Sequence, residues 1–310
     1  METRKIGEIE VSVAGLGCNN FGMHIDEERT RRVVAAALDV GITNFDTAES
    51  YGRGASEEFL GRSLGTHRSE VAITTKFGAP WGIPEGVAGG SRAWISRAID
   101  LSLSRLGTDY VDLYLLHRPD PVTPIGETLE ALGDLVSAGK VREIGCSDFS
   151  AEMMDEADSV AKHLHIRGFA NVQNHFSVLE RSPEETVIPA CERLGMTLTP
   201  YFPLEAGALT GKYKRGQDPP EGSRLARWGP RAGDFLGDDR LRAVERLERY
   251  ATERDHTLVE VALSWLATSP TVATVIAGAT SPEQVKANAA STSAWRMTGS
   301  QRDEIRELVS

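Results

Sequence analysis

The sequence predicts an α/β fold, a (β/α)₈ TIM barrel, on three observations. Eight short β-rich runs lie along the 310 residues, and a helical segment follows each of them. The competing fold, an open doubly wound sheet, typically carries GxGxxG between its first strand and first helix, whereas residues 15–22 read GLGCNNFG. No long linker rich in Pro, Gly and Ser divides the chain, so a single barrel domain over residues 1–310 is expected.

The first half of the chain begins with a β-hairpin and then alternates between strands and helices. Weak alternation of apolar and polar residues around Gly7 predicts the N-terminal hairpin over residues 4–13. Helices are predicted where capping or acidic residues precede apolar residues at helical spacing and a glycine follows. The predicted strands are residues 14–18, 42–45, 71–76 and 111–116, and the predicted helices begin at Asp26, Ser56, Ser91 and Ile125.

The second half continues the alternation, with one interruption. Residues 204–237 lack a clear period, and the part from Lys212 to Asp234 is rich in Gly, Pro and Arg. That part is either a clamp that moves over a cofactor or a solvated insertion. The predicted strands are residues 141–146, 169–173, 196–200 and 272–276, and the predicted helices are residues 151–164, 183–194, 238–254 and 258–268, with extra C-terminal helices at 282–290 and 300–308.

Composition and charge exclude several classes of function. With 40% hydrophobic and 25% charged residues the chain can bury a sizeable core, and its net charge of −11 argues against nucleic acid as a partner. No run approaches the roughly 20 apolar residues of a membrane-spanning helix, so no membrane partner is expected. The three cysteines, Cys18, Cys146 and Cys191, are far apart and suit reduced thiols in a cytoplasmic protein. His163 and His165 point to different faces of a predicted helix, so no metal site is expected.

Residues at the carboxyl ends of barrel strands meet at one face, whatever their separation in sequence. Asp46 follows the second predicted strand, and Tyr51 lies in the turn beyond it. Lys76 ends the third strand and His117 follows the fourth, so an acid, a phenol, a lysine and a histidine are expected to face one pocket. The other residues at strand ends are Ser147, Asp148, Gln173, Asn174, Tyr201 and Gly278.

These side chains suit proton donation better than nucleophilic attack. A lysine buried near a carboxylate stays charged, and its charge lowers the pKa of a nearby phenol, so Tyr51 can act as an acid supported by Lys76 and Asp46. His117 can hydrogen-bond either the phenol or a substrate oxygen. No Ser-His-Asp or Cys-His arrangement is near, so a hydride or another reductant must come from a cofactor. Taken singly, Asp46 could instead cap a helix, Lys76 could reach the surface and His117 could be a core residue.

An ordered series of motifs runs along nearly the whole chain. The first three are FDTAESYG at residues 45–52, TTKFG at 74–78 and DYVDLYLLHRPD at 109–120, and the series continues with SRLGTDYVDLY, VREIGCSDF, NVQNHFSVLER, TPYFPLEAGALTGKY and VIAGATSPEQVKAN. In this series the chain resembles the aldo-keto reductases, NAD(P)H-dependent carbonyl reductases built on a (β/α)₈ barrel. The resemblance implies that Tyr51 protonates the carbonyl oxygen, that Lys76 and Asp46 tune the phenol, and that His117 orients the substrate.

The resemblance also implies where a nicotinamide cofactor binds. Ser147, Asp148 and Gln173 match positions that hold the carboxamide, and Tyr201 matches the aromatic residue that stacks on the nicotinamide ring. A loop matches the one that covers the pyrophosphate, through Phe202, Pro203, Leu204, Gly207, Leu209 and Lys212. The adenosine end matches Gly278, Thr280, Ser281, Gln284 and Asn288, where the following helix offers its first amides to phosphate.

Two positions depart from the pattern of the family. Asp148 replaces the usual Asn, and an ionised Asp accepts hydrogen bonds but cannot donate them. Gln284 stands where many NADPH-selective relatives carry Arg, which weakens the case for a clamp on the 2′-phosphate. NADPH is still the expected cofactor, with NADH possible, because Thr280, Ser281 and nearby loop cations can serve.

The expected partner is a small-molecule carbonyl substrate, and the sequence leaves its identity and the oligomeric state open. Met23 and Trp81 follow the first and third predicted strands and are candidates for the walls of the substrate pocket, although each could pack on its own loop. The main alternative is a nicotinamide-binding sensor or auxiliary subunit with weak turnover, as in the branch of potassium-channel β-subunits. A metal-dependent barrel hydrolase is disfavoured because the strand ends supply only one His.

Overall fold

A computed structural model describes residues 1–309, so Ser310, the last residue of the expected domain, lies outside the described part. Its strands divide into an N-terminal hairpin and a barrel. The hairpin pairs β1 (Thr3–Ile6) with β2 (Ile9–Ser12). The barrel strands are β3 (Ala14–Gly17), β4 (Asn44–Asp46), β5 (Ala72–Phe77), β6 (Val111–Leu116), β7 (Val141–Ser147), β8 (Asn171–His175), β9 (Thr197–Tyr201) and β10 (Val275–Gly278).

The eight barrel strands are parallel and pair in the order β10-β3-β4-β5-β6-β7-β8-β9. Leu198 on β9 nearly closes the barrel, because its N–H donates to the carbonyl oxygen of Thr271 (2.9 Å) and its carbonyl accepts from the N–H of Ala273 (3.0 Å). Helices alternate with these strands, as a (β/α)₈ barrel requires. The predicted fold, with its N-terminal hairpin and extra C-terminal helices, is therefore confirmed.

The helices surround the barrel, and most begin where the sequence predicts. Asp26 and Ser91 cap the first and third of them, with side chains that accept from the N–H groups of Arg29 and Trp94. The helices are α1 (Glu27–Asp39), α2 (Ala55–Leu64), α3 (Arg92–Leu106), α4 (Ile125–Ser137), α5 (Ala151–His163), α6 (Val187–Leu194), α7 (Arg224–Trp228), α8 (Gly233–Leu236), α9 (Asp238–Thr252), α10 (Leu258–Ala267), α11 (Pro282–Ser293) and α12 (Gly299–Val309).

Several predicted boundaries differ from the structure. The strand predicted from Ile42 begins two residues later, because the N–H of Ile42 still bonds Ala37 in the last turn of α1. The last strand begins at Val275 instead of Val272, since residues 271–273 pair only with Leu198. The helix predicted over 183–194 is broken at Thr186, and the stretch predicted to be irregular contains α7 and α8.

The N-terminal hairpin covers the amino ends of the barrel strands. Ile6, Ile9 and Val11 are buried in a separate apolar cluster with Ala72 at the start of β5 and with Ala273. Apolar side chains thus fill this end of the barrel, whereas the main cavity is lined by residues at the carboxyl ends of the strands. The hairpin thus leaves the predicted site face open.

We expect Gly61→Ala to lower the free energy of unfolding by about 1–3 kcal/mol, the usual cost of overpacking. Gly61 lies on α2 against the end of α3, and an added Cβ would be 2.3 Å from the backbone oxygen of Leu106. Gly133→Ala is the matched control. Gly133 lies on α4, a helix similar to α2, and an added Cβ would come no closer than 3.8 Å to its nearest neighbour, Ile166. The control should be neutral or gain about 0.5–1 kcal/mol from helix propensity. Urea unfolding of both variants measures the difference, and equal shifts would contradict it.

Candidate active site

A buried ion pair joins the ends of β4 and β5. Lys76 is fully buried, and its Nζ lies 2.6 Å from Asp46 Oδ1 and 2.8 Å from the carbonyl oxygen of Thr47. The second oxygen of Asp46 accepts from Gln173 Nε2 at 2.8 Å. Burial disfavours the ammonium, but the charges and hydrogen bonds of Asp46 and Tyr51 together outweigh burial and raise the pKa of Lys76. The lysine is therefore charged at neutral pH.

Tyr51 begins the 3₁₀ turn Tyr51–Gly54, which is separated from the end of β4 by residues 47–50. Gly52, with φ 58°, allows this turn, since an added Cβ would be 3.0 Å from the backbone oxygen of Phe21. Lys76 Nζ lies 5.1 Å from the centre of the Tyr51 ring. Burial raises the pKa of Tyr51, and the charge of Lys76 lowers it by a smaller amount, so the net direction is upward. The predicted influence of Lys76 is present, but burial outweighs it and the phenol stays protonated at neutral pH.

His117 follows β6 and is buried beside Tyr51, with the two ring centres 5.8 Å apart in an edge-to-face arrangement. Trp81 packs on the same imidazole at 5.4 Å. Burial, and then the charges of Lys76 and Arg118, lower the pKa of His117 well below its usual value. The imidazole is neutral at pH 7, and its buried Nδ1 has no hydrogen-bond partner among residues 1–309. Because His117 also lines the cavity, its imidazole can form a hydrogen bond with a bound ligand.

Asp148 is part of a polar cluster. It accepts a hydrogen bond from the hydroxyl of Tyr201 at 2.9 Å and forms an ion pair with Arg118. The guanidinium of Arg118 also lies 5.2 Å from the ring centre of Trp81. Asp148 has φ 57°, a conformation that Asn and Asp tolerate better than most residues. Arg118 thus balances the charge of the Asp148 carboxylate.

A continuous cavity of about 1780 Å³ opens at the carboxyl ends of the strands and contains most of the predicted site. Lys76 lies beneath it, Leu209 is buried, and Ser281 caps α11. Met23 is exposed. Neither Met23 nor Asp148 lines the cavity. The predicted residues that line the cavity are Asp46, Tyr51, Trp81, His117, Ser147, Gln173, Tyr201, Phe202, Pro203, Leu204, Gly207, Lys212, Gly278, Thr280, Gln284 and Asn288.

Several cations that sequence reasoning missed also line the cavity. Arg224 donates to Asn20 Oδ1 at 3.0 Å, and burial, followed by the charge of Arg227, lowers its pKa. The other missed basic residues of the lining are His24, Arg29, Arg118, His175, Arg227, Arg231 and Arg240, and the missed acidic residues are Glu180, Asp234 and Glu260. The lining still has more Lys and Arg than Asp and Glu side chains, in a chain of net charge −11, and this excess suits an anionic ligand. The high arginine content of residues 212–234 was the sequence feature that could have revealed Arg224, Arg227 and Arg231.

A family model described as the aldo/keto reductase family matches residues 14–310. The chain belongs to the aldo/keto reductase family. A probable voltage-gated potassium channel subunit beta from Oryza sativa subsp. japonica is 35% identical, over 93% of this chain and 90% of that protein. The aldo-keto reductase yakc of Schizosaccharomyces pombe, whose name carries NADP(+), is 36% identical over 85% of this chain and 78% of that protein. A solved glycerol dehydrogenase from Gluconobacter oxydans has a TM-score of 0.84 and 27% identity, over 99% of this chain and 94% of that chain.

The reductase and the dehydrogenase among these relatives support an oxidoreductase activity for this aldo/keto reductase. Among residues 1–309, no group of three or more His, Cys, Asp or Glu side chains could hold a metal ion. Within the same range, no helix is long and apolar enough to cross a membrane.

Glu49 is another buried carboxyl group near the site, and the sequence did not reveal it as unusual. It lies between Asp46 and Tyr51 in this aldo/keto reductase, and its Oε1 accepts from the N–H of Gly78 at 2.7 Å. Its own N–H donates to the carbonyl oxygen of Lys76 at 3.1 Å. Burial raises the pKa of Glu49 to about 7, despite the opposing hydrogen bond from Gly78. This carboxyl group therefore changes its charge close to neutral pH.

Glu49 makes the stability of the folded protein decrease as the pH rises through the neutral range. Its pKa is about 7 when folded, while an unfolded Glu titrates near 4.3, so between those values the folded state holds more protons and stability falls as pH rises. We expect the free energy of unfolding of the wild type to fall by about 2 kcal/mol between pH 5 and 8 relative to Glu49→Gln. Urea unfolding at both pH values measures this difference. Parallel curves for the two proteins would contradict the assignment.

Proposed function

We propose that the protein is an NAD(P)H-dependent reductase that converts aldehyde or ketone carbonyls to alcohols, with Tyr51 as the proton donor. The observation that carries the proposal is the position of the Tyr51 phenol, at the cavity and beside the buried Lys76–Asp46 ion pair. A neutral His117 lies next to that phenol. A protonated donor, a fixed cation and a neutral hydrogen-bonding group together suit reduction of a C=O bond.

Each of the four residues has a defined part in moving one proton. Burial keeps Tyr51 protonated before reaction, and the Lys76 ammonium stabilises the phenolate that forms when the proton leaves. Asp46 holds Lys76 in place and balances its charge. His117 orients the carbonyl oxygen by a hydrogen bond from its neutral ring. A bound nicotinamide cofactor would supply the hydride from C4.

The residues present fit such a cofactor along the whole cavity. Gln173 already donates its amide N–H to Asp46, which leaves Oε1 to accept from the carboxamide, together with Ser147 and Asp148. Tyr201 would stack on the nicotinamide ring, and the segment from Phe202 to Lys212, with Pro203, Leu204, Gly207 and Leu209, would cover the pyrophosphate. Gly278, Thr280, Ser281, Gln284 and Asn288 would hold the adenosine end.

NADPH is the proposed cofactor, ahead of NADH. Gln284 accepts hydrogen bonds from the N–H and hydroxyl of Thr280 (2.8 and 3.1 Å), so its amide N–H₂ stays available as a neutral donor. The missed cations Arg224 and Arg227 and the predicted Lys212 line the same cavity and can attract the extra phosphate. A relative at 36% identity carries NADP(+) in its name.

Fluorescence titration with NADPH and NADH tests this preference. We expect NADPH to bind about tenfold more tightly, the size of one or two charge-assisted hydrogen bonds. Because exposed charges are screened by salt, the gap between the two cofactors should narrow as ionic strength rises. Equal affinities at low salt would contradict a 2′-phosphate site.

Tyr51→Phe should lower carbonyl turnover by about 10²-fold or more, since that is the usual loss when a general acid is removed. NADPH affinity should stay within about twofold of the wild type, because the ring remains. Tyr110→Phe, at the amino end of β6, is the matched control and should retain normal turnover. Aldehyde-dependent NADPH oxidation measures all three proteins. Normal turnover in Tyr51→Phe would remove this residue from the mechanism.

A second candidate function is a nicotinamide-binding auxiliary subunit with weak turnover. It is favoured by the relative named as a potassium channel subunit beta, at 35% identity over most of both chains. A panel of small aldehydes and ketones separates the two functions. Tight NADPH binding without turnover on any member would favour the auxiliary subunit. The reductase proposal places the protein in the cytoplasm with a small-molecule carbonyl as its partner.

A further inference from the structure

A buried carboxylate lies at the start of the segment proposed to cover the cofactor. Glu205 is fully buried, although it follows Leu204 at the rim of the cavity. Its backbone has φ 48°, and Phe202 and Ala206 have φ 53° and 51°. Three non-glycine residues in the left-handed region within five positions are strained, and such strain persists only where surrounding contacts hold it. The contacts of Glu205 must therefore help to hold this backbone conformation.

Three donors from different parts of the chain converge on Glu205. His175 Nε2, at the end of β8, lies 2.7 Å from Oε1, and the hydroxyl of Ser177 donates to the same oxygen at 2.5 Å. Arg240 on α9 donates to Oε2 at 2.8 Å. We call Glu205, His175, Ser177 and Arg240 the Glu205 anchor. It connects the barrel, the cofactor segment and α9 through one carboxylate.

The charge state of the anchor follows from its contacts. Burial alone would raise the pKa of Glu205, but the hydrogen bond and charge of His175, the hydroxyl of Ser177 and the charge of Arg240 lower it below its usual value. The carboxylate is thus ionised at neutral pH and can only accept hydrogen bonds. His175 Nε2 must therefore carry the hydrogen that points to Glu205.

The anchor also contacts the aromatic residues at the nicotinamide end of the cavity. The ring of His175 is stacked on Tyr201, with centres 5.4 Å apart and planes within 17°. Phe202 packs edge-on against His175 at 5.7 Å. Because Glu205 holds the imidazole by its Nε2, it also limits rotation of the ring that Tyr201 stacks on. One buried carboxylate thereby restrains both the backbone of the segment and the plane of Tyr201.

We propose that the Glu205 anchor positions Tyr201 and the Phe202–Lys212 segment for cofactor binding and so determines how fast the cofactor leaves. The inference rests on the proposed nicotinamide cofactor but not on any particular carbonyl. His175, Glu205 and Arg240 are positioning residues in this scheme. Glu205 is covered by protein, and it acts through Tyr201 and the strained backbone beside it.

Glu205→Gln tests the proposal with a nearly isosteric side chain that has no charge. The variant weakens the contacts that hold Tyr201 and the Phe202–Lys212 segment in place, and movement of a covering segment can set the rate of ligand release, so we expect NADPH to leave at least about tenfold faster. Stopped-flow fluorescence with excess competitor measures that rate, and the association rate should change by about threefold or less. If release limits turnover, kcat rises while KM for NADPH also rises.

Glu245→Gln is the matched control. Glu245 lies on α9, as Arg240 of the anchor does, and pairs with Arg215, three residues after the Phe202–Lys212 segment, but both side chains are more than a third exposed. An exposed pair contributes little, so its NADPH dissociation rate should remain within about twofold of the wild type. An equal acceleration in both variants would overturn the specific role of Glu205.

His175→Phe separates the hydrogen bond from the ring stack, and it keeps the test decisive if Glu205→Gln folds poorly. Phenylalanine can still stack on Tyr201 but cannot donate to Glu205. We expect faster NADPH dissociation in His175→Phe, with a smaller change than in Glu205→Gln because Ser177 and Arg240 still bond the carboxylate.

The outcomes distinguish this inference from the proposed function. A wild-type protein that binds no nicotinamide cofactor would overturn both. Normal NADPH binding in the wild type, together with unchanged dissociation in folded Glu205→Gln and His175→Phe, would overturn only the anchor. A lower unfolding midpoint with unchanged dissociation would assign Glu205 a purely structural role and would also overturn it.

Discussion

The buried ion pair between Lys76 and Asp46 is the interaction on which the rest of the site depends. Two charges removed from water are costly unless each has close partners, and the carbonyl of Thr47 and the amide of Gln173 complete the hydrogen bonding here. The pair comes from the ends of β4 and β5, and Gln173 comes from β8 across the barrel. The cation beside Tyr51 therefore exists only while three strands keep their relative register.

Burial then gives the remaining groups opposite shifts in pKa. It raises the pKa of Tyr51 and lowers that of His117, while Asp46 keeps Lys76 charged. A protonated phenol, a neutral imidazole and one ammonium group can donate a proton to oxygen and stabilise the anion that remains. The positive charge of Arg224 and its neighbours at the cavity reconciles an anionic cofactor with an acidic chain.

Much of the fold followed from local patterns. The alternation of β-rich and helical runs predicted the barrel, and the caps at Asp26 and Ser91 are present as expected. The predicted element boundaries were wrong where long-range contacts determine them. Ile42 is retained by a hydrogen bond to α1, and Val272 lies next to the backbone contacts of Leu198 that nearly close the barrel. A local period carries no information about either contact.

The sequence by itself determined the candidate residues at the strand ends, because parallel strands bring their carboxyl ends together whatever loops connect them. The distances and protonation states were decided only by the tertiary structure. Arg118 opposite Asp148 is one example. The buried contact of Glu205 with His175 is another, and it joins residues 30 positions apart. Such contacts depend on side-chain packing and burial, which hydrophobic spacing does not specify, so these groups became visible only in the folded protein.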